Sequence, residues 1–247
     1  MPEDWFGENV AATYDDDESV MFEPATIDAT VDLLAALAGD GPALELAIGT
    51  GRVALPLAAR GVPVAGIDLS AAMVARLRAK PGGDERTIPV TIGDIAATRV
   101  EAAGTYTLVY LVFNTIGNLT TQDAQVECFR NAARHLAPGG VFVVETSVPS
   151  LRRLPPGQRF VPFDVSTDHI GIDEYDVARQ LLISHHVTSH GGSLRRASTP
   201  FRYAWPAELD LMARLAGLRL RDRWSGWTRQ PFTDESESHV SVWVREP

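Results

Sequence analysis

Residues 43–51 read Ala-Leu-Glu-Leu-Ala-Ile-Gly-Thr-Gly, an apolar run with one internal glutamate that breaks into a glycine-containing loop. A helical pattern follows at 52–60, and a second apolar run, 62–67, ends in Asp68. A strand, a glycine turn, a helix and a second strand that ends in an acid are together typical of a pocket for an adenosine ligand. Glycine lets the backbone approach the ligand without a Cβ clash, and the acid can accept hydrogen bonds from ribose hydroxyls.

The same alternation of strands and helices continues as far as residue 147. Further strands are predicted by the apolar runs at 88–92, 107–113 and 141–145, and helices by the amphipathic patterns at 24–38 and 122–136. The run at 107–113 lacks polar alternation, as expected of a parallel strand that is covered on both faces. Strands that alternate with helices predict a doubly wound, Rossmann-like sheet of the α/β class.

The pattern becomes antiparallel in type after residue 147. The prolines concentrated at 149–163 predict a loop. Residues 174–203 then alternate polar and apolar side chains around the turn His190-Gly-Gly-Ser193, which predicts a β hairpin. This stretch is therefore predicted to be an antiparallel β insert that caps the substrate side of the sheet.

The last part of the chain returns to the main sheet. A helix is predicted from Pro206, and two apolar runs, 218–224 and 239–244, predict a terminal antiparallel hairpin that brings the sheet to seven strands. The predicted units are an N-terminal arm or lid at 1–23, a core at 24–147 and 204–247, and a cap insert at 148–203. Because residues 1–20 are polar and acidic, a solvated tail is the alternative to a lid.

Composition excludes several classes of protein. The chain has 247 residues, is 45% hydrophobic and carries a formal net charge of −10. This charge argues against a nucleic-acid partner, because a phosphate-binding face needs clustered Lys and Arg. No apolar run approaches the roughly 18 residues of a membrane helix, and the acidic start lacks a basic signal-peptide region. With Cys128 as the only cysteine, no intrachain disulfide can form, so we expect a soluble cytoplasmic protein without a membrane partner.

Two cofactors compete for the glycine turn. Gly49-Thr-Gly-Arg-Val-Ala54 also fits the Gly-x-Gly-x-x-Ala variant of the dinucleotide fingerprint, and Asp68 fits the ribose acid of an NAD site. A carboxylate at Glu45, however, is unfavourable beside a pyrophosphate. Asp94 adds another acid after the third predicted strand. S-adenosylmethionine carries a sulfonium and an ammonium but no phosphate, so the three acids favour it as the cofactor.

Two other classes of function can be compared with this one. An NAD-dependent oxidoreductase of the Tyr-x-x-x-Lys type is excluded, because Lys80 is the only lysine and has no tyrosine four residues before it. A non-catalytic protein that binds S-adenosylmethionine would keep Asp68 and Asp94 but lack a shaped acceptor cavity. The sequence leaves this second alternative open.

Four segments resemble, in chain order, the successive motifs of class I S-adenosylmethionine-dependent methyltransferases. They are Glu45–Arg52, Gly66–Ser70, Gly93–Ile95 and Leu136–Gly140. The most similar members act on small molecules and include the sugar N-methyltransferases of antibiotic pathways, which also carry a Tyr-Asp pair like Tyr14-Asp15. The resemblance implies methyl transfer to a nitrogen or oxygen atom of a small molecule. The first motif of the family usually has glycine where this chain has Ala47, although many members have alanine there.

The resemblance also implies a set of site residues. The implied cofactor-binding residues are Tyr14, Glu45, Ala47, Gly49, Thr50, Gly51, Asp68, Leu69, Met73, Asp94, Ile95 and Asn114. The glycines would lie against the methionyl part, and Glu45 would support that turn or the ammonium group. Tyr14 would fold over the cofactor, and Asn114 would lie near the transferred methyl group. These last two are the candidate catalytic residues.

The adenosine part has its own implied contacts. Asp68 would accept hydrogen bonds from both ribose hydroxyls. Asp94 would accept from the adenine amino group, and Ile95 would donate its backbone N–H. Leu69 and Met73 would line the adenine ring.

The histidines are weaker candidates for a general base. His185 and His186 are adjacent on a predicted strand, so their side chains point to opposite faces and at most one can face the acceptor. The face predicted to be buried carries Leu181, Ile183, His185 and Val187. No close cluster of His, Cys, Asp or Glu predicts a metal site. A homodimer is compatible with the sequence.

Overall fold

The computed structural model of the protein describes residues 4–16, 20–190 and 193–246. Helices are α1 (Glu8–Ala11), α2 (Pro24–Ala38), α3 (Ala54–Ala59), α4 (Ala71–Arg78), α5 (Gln122–His135) and α6 (Pro206–Leu215). Strands are β1 (Ala43–Leu46), β2 (Val64–Asp68), β3 (Val90–Ile92), β4 (Tyr106–Leu111), β5 (Leu136–Ser147), β6 (Phe160–Val165), β7 (His169–Asp176), β8 (Leu181–His190), β9 (Ser193–Arg202), β10 (Leu218–Trp224) and β11 (Ser238–Arg245). The centre of the predicted turn, 191–192, and residues 1–3 and 17–19 of the predicted arm lie outside the described residues.

The predicted seven-stranded α/β sheet is confirmed. Its strand order is β10-β11-β5-β4-β1-β2-β3, with β1 to β5 parallel and the terminal hairpin antiparallel. The chain runs outward from β1 to β3 on one side and returns to β4 on the other. The order therefore reverses between β1 and β4, and ligands of open α/β sheets bind at the carboxyl ends of the strands beside such a point.

Side chains of the central strands alternate between two apolar layers. Leu46 and Val109 contribute to the layer beneath α5 and α6, where Phe129 is fully buried. Leu108 and Leu34 belong to the opposite layer, beneath α2 and α3. Full burial of one such side chain stabilises the fold by about 1.5–3 kcal/mol. A sheet covered on both faces gives the site above it a rigid base.

The predicted antiparallel insert is present as a separate four-stranded sheet in the order β6-β7-β8-β9. The prediction of a loop over 149–163 is wrong at its end, because β6 starts at Phe160. Pro162 lies within this strand, which the sheet tolerates because β6 is an edge strand. The strand predicted at 141–145 is also longer than expected. It begins at Leu136, and the ladder between β4 and β5 shifts register beside the Pro-Gly-Gly segment at 138–140.

The described part of the N-terminal arm packs against the core. Ala11 of α1 is 2% exposed, and α1 contacts α4. Short 3₁₀ turns follow at Tyr14–Asp16 and Val20–Phe22. The alternative of a solvated tail is therefore wrong for these residues, because aromatic and polar side chains of the arm reach the sheet.

Candidate active site

A cavity of about 110 Å³ lies at the carboxyl ends of β1, β2 and β3. Its walls combine the apolar side chains of Leu69, Met73 and Ile95 with the carboxylates of Asp68 and Asp94. Most residues predicted to bind the cofactor line this cavity, including Tyr14, Ala47 and Gly49. The exceptions are Glu45, Thr50, Gly51 and Asn114.

Asp68 ties the glycine turn to the end of β2. Its Oδ2 accepts the backbone N–H of Gly49 at 2.6 Å, and its Oδ1 accepts that of Ser70 at 2.8 Å. Burial raises the pKa of the Asp68 carboxyl, and the two backbone donors act in the opposite direction. Each carboxylate oxygen keeps a further lone pair, so a ligand hydroxyl in the cavity can still donate to it.

The turn after β1 uses left-handed backbone at three positions. The φ angles are +57° at Ala47, +57° at Gly49 and +78° at Gly51. Glycine adopts this conformation without strain, whereas a Cβ makes it costly. The left-handed backbone therefore explains why glycine occupies positions 49 and 51, and why glycine would also suit position 47.

The end of β3 supplies the second acid of the cavity. The Oδ1 atom of Asp94 accepts the backbone N–H of Ala96 at 2.8 Å, which fixes the turn that carries Ile95. Gly93 donates its backbone N–H to the carbonyl of Asp68 at 2.7 Å. This contact holds the ends of β2 and β3 together, so both aspartates lie on one wall.

Glu45 lies beneath the cavity, and its side chain is 3% exposed. The hydroxyl of Tyr110 donates to Glu45 Oε2 at 2.9 Å. Burial raises the pKa of Glu45 to about 8, while the Tyr110 hydrogen bond and the charge of Arg52 act in the opposite direction. The carboxyl therefore supports the turn from below, and its direct contact with a cofactor stays a prediction.

Aromatic side chains of the arm meet the end of β4. Tyr14 makes edge-to-face contacts with Phe6, Phe22 and Phe113 at ring separations of 5.6–6.5 Å. The guanidinium of Arg52 lies over the rings of Phe22 and Phe113 at 4.9 and 4.8 Å. Tyr14 lines the cavity within this cluster, and its position over a bound cofactor stays a prediction. The cluster also contains Arg52, which no sequence motif singled out.

Polar contacts of the arm centre on Asp15. Its Oδ1 accepts the hydroxyl of Thr50 at 2.6 Å, and its Oδ2 pairs with Lys80 Nζ at 2.7 Å. Lys80 also donates to the carbonyl of Thr50 at 2.8 Å. Thr50 therefore holds the arm instead of lining the cavity. The signal available in the sequence was that Lys80 is the only lysine.

The cavity fits the adenosine part of S-adenosylmethionine better than a dinucleotide. Among the residues described, no Lys, Arg or His side chain lines it, so a pyrophosphate would lack a cationic partner. Two carboxylates and an apolar wall suit ribose hydroxyls, an adenine amino group and a cationic sulfonium. The residues present therefore fit the predicted cofactor.

A second cavity of about 410 Å³ lies between the end of β4 and the four-stranded sheet. The segment 113–118 separates the two cavities. Thr115 and Asn118 line the first, whereas Asn114 and Gly117 line the second. The side chain of Asn114 accepts hydrogen bonds from the Thr146 hydroxyl and, at 3.2 Å, from the backbone N–H of Ser147.

Two consecutive left-handed residues produce this arrangement. Phe113 and Asn114 have φ angles of +59° and +54°. The carboxylate of Glu145 accepts the backbone N–H of Phe113 at 2.6 Å, and burial raises the Glu145 pKa. The turn directs Asn114 into the second cavity, away from the first. Its predicted position near a transferred methyl group requires that ligands in the two cavities meet beside this turn.

The two adjacent histidines point to opposite faces of β8, as predicted. His186 lines the second cavity, whereas His185 contacts Glu174 at 3.1 Å and Ser198 at 2.8 Å on the other face. The prediction that the face of His185 is the buried one is wrong. The face of His186 turns toward the main sheet, and Ser184 on that face is only 8% exposed.

The described residues contain no group of three or more His, Cys, Asp or Glu side chains that could hold a metal ion. None of their helices is long and apolar enough to cross a membrane.

Comparison with known proteins adds independent evidence. A family model for a methyltransferase domain matches residues 43–140. The chain is 36% identical to the CcbJ methyltransferase from Streptomyces caelestis, with 98% of both chains covered and a TM-score of 0.86. It is 26% identical to the cypemycin N-terminal methyltransferase of a Streptomyces species over 206 residues, and this matched region covers 82% of each protein. It shares the fold of CalS10, an amino pentose methyltransferase from Micromonospora echinaspora solved with bound S-adenosylmethionine, at 20% identity, a TM-score of 0.69 and 99% coverage of both chains.

Proposed function

This chain belongs to the class I S-adenosylmethionine-dependent methyltransferases, and from that premise we propose that it methylates a nitrogen or oxygen atom of a small molecule. The observation that supports this proposal is the pair of cavities on the two sides of segment 113–118. The second cavity, at about 410 Å³, falls within the ~300–1,000 Å³ range typical of ligand pockets. Such a cavity is what a non-catalytic cofactor-binding protein would lack.

We propose the following contacts for the cofactor in the first cavity. Asp68 accepts hydrogen bonds from the ribose hydroxyls, and Asp94 accepts from the adenine amino group. Ile95 donates its backbone N–H to the adenine. Leu69 and Met73 pack against the ring. Their joint presence in the wall of this cavity supports each assignment.

The methionyl part is assigned to the turn after β1. Ala47 and Gly49 line the cavity and allow a close approach of the backbone. Gly51 gives the turn its left-handed backbone but does not line the cavity. Glu45 supports the turn from beneath the cavity, and the hydroxyl of Thr50 donates a hydrogen bond to Asp15 of the arm.

Methyl transfer requires little covalent chemistry from the protein itself. The bound cofactor supplies an electrophilic methyl group on a sulfonium. Tyr14 and its aromatic neighbours exclude water from the region above the turn, and Asn114 helps to orient the acceptor beside it. Catalysis then comes mainly from positioning and from desolvation of the nucleophile.

A direct assay tests this function. The protein is incubated with S-adenosylmethionine and a panel of three amines (benzylamine, cyclohexylamine and glucosamine) and three matched alcohols (benzyl alcohol, cyclohexanol and glucose). Mass spectrometry then detects a methyl group added to a panel member. Isothermal titration is expected to give micromolar-range affinity for S-adenosylmethionine and negligible affinity for NAD. Tight cofactor binding with no methylated product would favour the non-catalytic alternative.

We propose a cytoplasmic location, no nucleic-acid partner and a homodimer as the assembly to be tested. The net charge of −10 supports the second point, and the single cysteine is compatible with a reducing compartment. Light scattering of the purified protein measures the assembly directly.

A further inference from the structure

The second cavity contains a pair of polar groups on neighbouring strands of the four-stranded sheet. Asp173 of β7 and His186 of β8 both line it, together with Ser184. Asp173 and Ser184 are directly opposite each other in the antiparallel ladder, and Gly171 is opposite His186. The absence of a side chain at Gly171 leaves room for the ring of Phe163, which packs edge to face on His186 at 5.4 Å.

His186 is the inner member of a hydrogen-bonded chain. Its Nδ1 lies 3.0 Å from Nε2 of His169, and Nδ1 of His169 contacts the carboxylate of Asp164. Asp164 and His169 are both partly exposed, so the chain leads from the cavity to the protein surface. The other ring nitrogen of His186, Nε2, lies 3.2 Å from the hydroxyl of Ser184.

The carboxylate of Asp164 determines which nitrogen atoms carry protons. A carboxylate accepts, so an imidazole with one proton at His169 holds that proton on Nδ1 and presents a lone pair on Nε2. His186 must then donate from Nδ1, which leaves a lone pair on its Nε2. The Ser184 hydroxyl can reach this lone pair or the Asp173 carboxylate, but it can donate to only one of them.

Among the described residues, the carboxylate of Asp173 has no cationic side chain in ion-pair contact. Arg202 is the only arginine or lysine in its described walls, and it is already paired with Glu208 at 2.6 Å and bonded to Gln125 at 2.5 Å. Burial raises the pKa of Asp173, and a bound cation would lower it again. The buried hydroxyl of Tyr203 in the same wall has no hydrogen-bond partner among the described residues.

We propose that the methyl acceptor is an amine, which Asp173 binds as an ammonium ion and from which His186 Nε2 takes the proton before methyl transfer. His169 and Asp164 are positioning residues that hold His186 in the required tautomer. The proposal deepens the proposed function and rests on it. It selects amines over alcohols within the class of small acceptors.

The reaction balances with no further reactant. The ammonium gives one proton to His186, and the freed nitrogen lone pair attacks the methyl group. The sulfur–carbon bond breaks as the nitrogen–carbon bond forms, and the sulfonium becomes a neutral thioether. The product is a methylated ammonium ion, and the proton on His186 leaves to solvent through His169.

The other groups near His186 keep its ring neutral, as uptake of a proton requires. Its pKa is lowered, first by burial, then by the adjacent His169 and by His185, while Asp173 acts in the opposite direction. The neutral ring that results has a free lone pair at neutral pH. Phe163 of β6 adds no charge from the remaining side.

The amine and alcohol panel tests the choice of acceptor. Transfer to the three amines should exceed transfer to the three alcohols at least tenfold. Asp173→Asn should lower transfer to the amines at least tenfold, while Asp176→Asn, a change outside the cavity on the same strand, should stay within twofold. Methylation of the alcohols at a similar rate, or an unaffected Asp173→Asn variant, would overturn the proposal. Transfer to no panel member at all would instead count against the proposed function itself.

The role of His186 has its own matched pair of variants. His186→Gln should slow transfer to the amines at least tenfold at pH 7, with a smaller deficit at pH 10, where more free amine is present. His185→Gln, on the opposite face, should stay within twofold at both pH values. Equal effects of the two variants would overturn the assignment of His186.

A spectroscopic measurement tests the tautomer without any acceptor. In ¹⁵N-histidine-labelled protein saturated with S-adenosylhomocysteine, the His186 signals should show the proton on Nδ1. Asp164→Ala, which removes the acceptor, should remove this preference and leave the His185 signals in place. A wild-type His186 with its proton on Nε2 would contradict the proposed route.

Discussion

The backbone N–H of Gly49 donates to the carboxylate of Asp68 over 2.6 Å and thereby joins the turn after β1 to the end of β2. The two residues are 19 positions apart in the chain, and both line the cofactor cavity. Asp68 therefore has two tasks. It fixes the shape of the turn, and in the proposed site it would also present its remaining lone pairs to the ligand.

Asp68→Ala should weaken cofactor binding strongly. Loss of a hydrogen bond to a charged group costs about 1.5–3 kcal/mol, which corresponds to roughly 10- to 150-fold in affinity. Isothermal titration with S-adenosylhomocysteine measures the effect. Asp68→Asn is the matched control, because its remaining oxygen can still accept one backbone hydrogen bond. An unchanged dissociation constant in the alanine variant would show that Asp68 only holds the turn.

Ala47→Gly should stabilise the protein. Ala47 has a left-handed φ of +57°, which costs an L-residue about 1–2 kcal/mol, and glycine loses roughly 0.5–1 kcal/mol through its more flexible unfolded chain. The net gain, measured by urea denaturation, is up to about 1.5 kcal/mol. Ala75→Gly, on the exposed face of α4, is the control and should lose about 1 kcal/mol. A loss of stability in both variants would mean that the turn carries no strain at Ala47.

Glu45→Gln should change how stability depends on pH. The pKa of Glu45 is about 8 in the folded protein and about 4.5 in the unfolded chain. Between these values the folded state keeps a proton that the unfolded state has released, so this group makes the protein less stable as pH rises through the interval. Glutamine stays neutral and can still accept from Tyr110.

The measurement is the melting temperature of both proteins without cofactor at pH 5, 7 and 9. The melting temperature of the variant should rise relative to that of the wild type from pH 5 to pH 7 and again from pH 7 to pH 9. Parallel curves across this interval would show that Glu45 is ionised in the folded state at all three pH values.

Asp15→Asn and Lys80→Ala should each loosen the arm. Asp15 holds the arm through Thr50 and Lys80, so either change removes a charged contact. Amide exchange in residues 8–16 should become faster, and S-adenosylhomocysteine should protect these residues less than in the wild type. Arg60→Ala, which removes an exposed pairing with Asp28 away from the arm, should leave their exchange unchanged. Equal amide exchange in the wild type and the three variants would show that the aromatic contacts alone keep the arm in place.

Tyr14→Ala should lower turnover more than it lowers stability. The ring closes the cavity from outside and contacts Phe6, Phe22 and Phe113, whereas the main apolar layers lie on the faces of the sheet. Initial rates on the amine panel and melting temperatures make the comparison. Tyr14→Phe keeps the ring and separates the contribution of the hydroxyl. Full activity in the alanine variant would remove Tyr14 from the site.

The sheet and its aspartates could be predicted because both follow from local patterns. Apolar runs of strand length specify the parallel strands, and two of these runs are followed within two residues by Asp68 and Asp94. The carboxyl ends of neighbouring parallel strands lie at one edge of the sheet, so the position of these acids follows from topology.

The arm and the cap depend on contacts that no local pattern contains. Asp15 meets Lys80 across 65 positions of sequence, and the position of Lys80 on the structure depends on how α4 packs. The faces of His185 and His186 depend on which side of the four-stranded sheet turns toward the core. Alternation predicts that they differ, but only the packing of that sheet assigns His186 to the cavity.

The size of the first cavity bears on how a cofactor would enter and leave it. At about 110 Å³ it is smaller than the ~300–1,000 Å³ typical of ligand pockets, and Trp5, Phe6 and Tyr14 of the arm form part of its wall. If the cofactor binds as proposed, it would have to pass these side chains to exchange, whereas the acceptor has a cavity of its own. Opening of the arm would then set an upper limit on turnover that a faster methyl-transfer step could not raise.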